Sequence, residues 1–82
     1  MYKIEFSKKA EEQFDKLHLN IQGRIINVLE RIKIRPHHFI KRKQGTPYFI
    51  LRVGDYRIIL DIKMDKLIIY VLEMGLRGNI YT

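Results

Sequence analysis

Polar and apolar residues alternate from Tyr2 to Phe6, with Tyr2, Ile4 and Phe6 on one side and Lys3 and Glu5 on the other. A period of two predicts a strand with one wet face. Ser7 then offers an N-cap, and Ala10, Phe14 and Leu17 follow at helical spacing, which predicts a short helix from Lys8 to about Leu17. Asn20 can cap a second helix, whose apolar stripe is Ile21, Ile25, Val28, Leu29 and Ile32, with Arg24, Asn27, Glu30 and Arg31 facing away. Pro36 closes it, because a residue before proline is pushed out of the helical region. The stripe is rich in β-branched residues, so packing rather than propensity must hold this helix.

Residues 36–47 read as a loop between Pro36 and Pro47. Beyond it lie three apolar, β-rich segments: Tyr48 to Val53, Tyr56 to Lys63 and Leu67 to Met74. The gaps, Gly54-Asp55 and Met64-Asp65-Lys66, are hairpin-sized, which predicts an antiparallel meander. The first strand must join that sheet to hide its apolar side. The expected fold is α+β: a small antiparallel sheet of about four strands with two N-terminal helices packed on one face. With 82 residues, no repeat and no linker, a single domain over 1–82 is expected.

Composition sharpens this picture. The chain has no cysteine, which excludes disulfides and thiolate metal sites and suits a reducing compartment. Its start is not the unbroken apolar run of a signal peptide, and no apolar stretch approaches the ~20 residues needed to span a bilayer. A cytoplasmic protein is expected, with no membrane partner. Net charge is +7, and between Lys41 and Arg57 five cations (Lys41, Arg42, Lys43, Arg52, Arg57) face one acid, Asp55. Such a field attracts a polyanion, nucleic acid first and an acidic protein second.

Candidate chemistry centres on the Gly54-Asp55 turn. A two-residue hairpin there puts Arg52 opposite Arg57 on one face. Like charges across a sheet repel, so the pair is either neutralised, by Asp61 or Glu73, or used to bind an anion. Arg77 and Tyr81 lie four apart just past the last strand, where a third guanidinium and a ring could join the site. His18, His37 and His38 show no spacing that converges on one phosphate, and no metal-ligand motif is present. No cofactor fingerprint is present either, so neither a metal nor a small-molecule cofactor is expected.

Several of these runs look familiar together. Leu51-Arg52-Val53-Gly54-Asp55-Tyr56-Arg57 resembles the central signature of the RelE/ParE toxin superfamily. Gly75-Leu76-Arg77-Gly78-Asn79-Ile80-Tyr81 resembles the family's G-H-R-x-x-V-Y ending, with Leu76 in place of the histidine. Tyr2 to Leu17 is similar to the family's first strand and helix, and Lys41-Arg42-Lys43-Gln44-Gly45 to its basic K-x-L-x-G stretch. The resemblance implies the toxin of a type II toxin–antitoxin pair, with a RelB-like antitoxin as partner. Its RelE branch implies a ribosome-dependent, metal-independent mRNA endonuclease, a hydrolase that inhibits translation by cutting in the A site through 2′-hydroxyl attack. Ribosome and mRNA would then be partners. On that reading Arg57 would stabilise the phosphorane, Arg77 would hold the phosphate and help the leaving oxygen, and Tyr81 would position the base. Lys41, Arg42, Lys43 and Arg52 would bind RNA. The lysines that RelE toxins place before the turn are absent, Tyr48, Phe49 and Ile50 standing there instead. The alternatives are a ParE-like inhibitor of DNA gyrase without nuclease chemistry, and an inactive nucleic-acid-binding relative.

Overall fold

A computed structural model describes residues 1–38 and 40–76. The chain runs β1 (Lys3–Phe6), α1 (Lys8–Asp15), α2 (Leu19–Ile32), a 3₁₀ turn over Pro36–His38, then β2 (Ile40–Arg42), β3 (Phe49–Val53), β4 (Tyr56–Lys63) and β5 (Ile68–Leu76). The strands form one sheet in the order β1-β5-β4-β3-β2. Both helices pack on one face. Ala10 of α1 and Ile25, Leu29 and Ile32 of α2 bury against Leu51, Val53, Ile58, Leu60, Ile69, Val71 and Met74. The α+β architecture expected from the pattern is the one observed.

Three details depart from the sequence reading. The sheet is mixed, because β1 pairs parallel with β5. Period-two alternation looks the same in either pairing, so only the path of the helices sets this direction. The loop of residues 36–47 contains β2, which pairs antiparallel with β3. Its charged Lys41 and Arg42 concealed it, although lysine is a common guard of an edge strand. The second helix is capped by His18, whose Nδ1 accepts from Asn20 N–H at 3.2 Å. Asn20 already lies within the helix, so it cannot be the cap.

The join between α1 and the sheet is made by two side chains. Ser7 caps α1 by accepting from Ala10 N–H at 2.9 Å, and its hydroxyl donates to the Leu72 carbonyl at 2.7 Å. Gln13 Oε1 accepts from Met74 N–H at 2.7 Å. These bonds fall where β1 has ended at Phe6, opposite Val71, and where the β4–β5 register slips by one residue. Val71 is opposite Leu60 and Met74 opposite Ile58, so Leu72 is the extra residue of a bulge. The slip lets Ile69, Val71 and Met74 all face the core despite their uneven spacing.

Candidate functional site, a cationic depression on the open face

The hairpin at Gly54-Asp55 has the two-residue loop read from the sequence. Gly54 has φ +60, and Asp55 is not among the positive-φ residues, which is the II′ pattern with glycine first. An added Cβ at Gly54 would also meet the Arg24 guanidinium of α2 at 2.8 Å, so this helix packs directly on the turn. Val53 pairs with Tyr56 and Arg52 with Arg57. One step from the pair that closes the turn, the two arginines form the kind of pair whose side chains stand closest.

Their face is the one turned away from the helices. There Lys41 of β2 is opposite Ile50 of β3, and Ile50 is opposite Ile59 of β4. Lys41, Arg42, Ile50, Arg52 and Arg57 line a shallow depression of about 260 Å³. Arg52 is exposed, while Arg57 is half-buried with its Nε shielded from solvent. Of the nearby acids, Glu73 meets Lys9 Nζ at 3.0 Å, and Asp61 meets Lys63 Nζ at 3.4 Å. The depression gathers Lys41, Arg52 and Arg57 over an apolar floor, with Arg42 at its edge over the Phe49 ring, an arrangement that suits a carboxylate or phosphate.

The rim is held by the β2–β3 loop. Thr46 Oγ1 donates to the Lys43 carbonyl at 2.8 Å and accepts from Tyr48 N–H at 3.1 Å. The Arg42 guanidinium lies 5.2 Å from the centre of the Phe49 ring, and His37 meets the same ring edge-on at 5.8 Å. Of the residues singled out in the sequence, Lys41, Arg42, Arg52 and Arg57 are thus brought together. Lys43 turns into the loop beside them. Arg77 and Tyr81 lie outside the described residues. Ile50 and Arg24 were missed. Ile50 reads as an ordinary core residue of a strand, and the contact of Arg24 with Gly54 joins elements far apart in sequence. Among the described residues no group of three His, Asp or Glu side chains is placed to hold a metal, and no helix is long and apolar enough to cross a membrane.

This fold is shared with toxins of toxin–antitoxin systems. The archaeal RelE of the RelE–RelB complex from Pyrococcus horikoshii OT3 superposes with a TM-score of 0.81 at 21% identity, over 95% of this chain and 97% of that one. The intact E. coli RelBE toxin–antitoxin complex gives 0.82 at 19% identity, over 96% and 100%. A YoeB/ParE toxin from Agrobacterium tumefaciens gives 0.80 at 11% identity, over 92% and 98%. No curated protein sequence matches the chain. The chain belongs to the family of ParE toxins of type II toxin–antitoxin systems, whose model matches residues 4–81.

This match corrects the expected activity. A ribosome-dependent mRNA endonuclease of RelE type, with the hydrolase and translation-inhibitor roles attached to it, gives way to the ParE branch. The physical reason lies on β3, where Phe49 and Ile50 stand in place of the RelE lysines and Ile50 supplies only floor to the depression. Accordingly, no RNA-cleaving step is assigned to Arg57, Arg77 or Tyr81.

Proposed function

We propose that this chain is a single-domain, ParE-like toxin that poisons DNA gyrase by binding it, without nuclease chemistry, and that an antitoxin silences it. The family match over residues 4–81 carries this reading. The depression lined by Lys41, Arg42, Arg52 and Arg57 gives it a working surface. Anionic groups are what such a surface takes, and its arginines can grip a carboxylate in bidentate fashion. Arg77 and Tyr81, next along the chain from β5, belong to the same surface on this reading, and Lys43 borders it.

The antitoxin partner is proposed from the solved relatives, several of which are toxin–antitoxin complexes. An acidic, amphipathic antitoxin segment covering the open face would mask Arg57 and Arg77. The test is a gyrase supercoiling assay with the purified chain, with and without ribosomes and mRNA in parallel reactions. Loss of supercoiling with intact mRNA is expected. Unimpaired gyrase at saturating toxin would overturn the reading.

A further inference from the structure

The excess of positive over negative charge in this protein falls in one part of the chain. Between Arg31 and Gly54 lie seven of the sixteen cations and none of the nine acids, which leaves nine of each outside. The net charge of +7 therefore equals that of the segment from the end of α2 through β2 and the loop after it to β3. The open-face depression uses only part of it. A second set lies on the helix side. Arg24, Arg31 and Arg35 are seven and four residues apart, which places them along one flank of α2. Arg35 N–H still bonds to the Arg31 carbonyl at 3.4 Å, so the helical spacing continues past Ile32. Glu30 and Lys33, which pair at 3.0 Å, lie on the other flank with Ile26, beside β1. Arg31, Ile34, Arg35 and His38 line a depression of about 250 Å³, and all four are exposed.

We propose that this flank of α2, carrying Arg24, Arg31 and Arg35 with His38 at its end, is a second anion site that takes the phosphodiester backbone of duplex DNA. Arg24 and Arg31 sit on one helix about 10 Å apart at a rise of ~1.5 Å per residue, and Arg35 follows in the turn past its end. A duplex carries about one negative charge per 1.7 Å of its axis, a density that a row of guanidinium groups can partly neutralise. Contacts from such a row go to the backbone rather than to base edges, which is what a duplex presents outside its grooves. Ile34 is exposed, but a single aliphatic side chain among cations is too little apolar surface to anchor a protein partner. Arg24 packs on the Gly54 turn that presents Arg52 and Arg57, so the two cationic sites are joined at that turn. The toxin would then hold gyrase with one surface and the duplex that gyrase carries with the other. The choice of DNA over an RNA duplex rests on the gyrase reading.

The test measures binding of the full chain to a short labelled DNA duplex by fluorescence anisotropy across a salt series, with gyrase absent. Each phosphate neutralised adds about 0.9 to the slope of log affinity against log salt. Arg31→Gln/Arg35→Gln is expected to reduce that slope by about 2 and to weaken low-salt binding at least about tenfold. Lys8→Gln/Lys66→Gln removes the same charge from exposed positions elsewhere and is expected to leave the slope unchanged. Equal loss in both variants would overturn the proposal, since net charge alone would then explain the binding. So would tighter binding of an RNA duplex of the same sequence, or of polyglutamate, than of DNA. Gyrase inhibition is scored in a separate reaction, so failure of that reading is distinguishable from failure of this site.

Discussion

At one edge of the sheet β1 carries Lys3 and Glu5 in alternation, and the ion pairs Lys3–Glu5, Lys9–Glu73 and Lys33–Glu30 surround it. At the other edge β2 carries Lys41 and Arg42, in a stretch from Arg31 to Arg52 without a carboxylate. Both edges rest on the same core. The first spends its charges on itself, which favours a self-contained surface. The second keeps like charges close together, which costs folding energy and leaves a field for an anion to satisfy. Stability and function are thus divided between the two sides of a small domain.

The largest effect should come from the core that both edges share. Leu60 is fully buried in the central strand, and Leu60→Ala should cost about 3–5 kcal/mol, much of the stability of a domain this size. Urea unfolding measures it, and a loss below about 1 kcal/mol would mean the core is not where the structure puts it. Next is the turn of the cationic edge. Gly54→Ala combines a positive φ with contact against the Arg24 guanidinium and should cost about 1–3 kcal/mol. Adding Arg24→Ala should recover only the steric share, and a double-mutant cycle with no coupling would show that the helix does not press on the turn.

The neutral edge is tested by Ser7→Ala, which removes the cap of α1 and the bond to the Leu72 carbonyl together. A loss of about 1–2 kcal/mol is expected in thermal unfolding. A neutral outcome would leave the seam between α1 and the bulge of β5 without its explanation. The smallest effect has the opposite sign. Arg52→Gln should raise stability by a few tenths to about 1 kcal/mol by relieving the pairing with Arg57. If it destabilises instead, the two arginines are not a repelling pair in the free protein.

Much of this architecture was legible from the residues. Alternation in Tyr2 to Phe6, the stripe from Ile21 to Ile32 and the two-residue gap at Gly54-Asp55 sufficed for β1, α2 and the facing of Arg52 and Arg57. The parallel pairing of β1 was not legible, since side-chain period carries no information on strand direction. Nor was β2, where edge charges override the apolar signal of a strand, or the bulge at Leu72, which the pattern merely blurs. The cationic cluster could be read as a charge run, but its floor could not, because Ile50 becomes part of a site only once β2 lies beside it. Function was read to the superfamily and misplaced within it. Arg57, Arg77 and Tyr81 together suggested the RelE branch, and Tyr48, Phe49 and Ile50, where that branch has lysines, pointed the other way.

The most direct test compares the two edges in one reaction. Gyrase supercoiling is titrated with the native chain, with Arg52→Gln/Arg57→Gln in the cationic depression beside β2, and with Lys3→Gln/Lys66→Gln on the opposite side. Inhibition is expected from the native chain and the second variant, and its loss in the first with the fold intact by circular dichroism. Equal inhibition by all three, or none by any, would contradict the claim that this cationic depression is what the toxin works with.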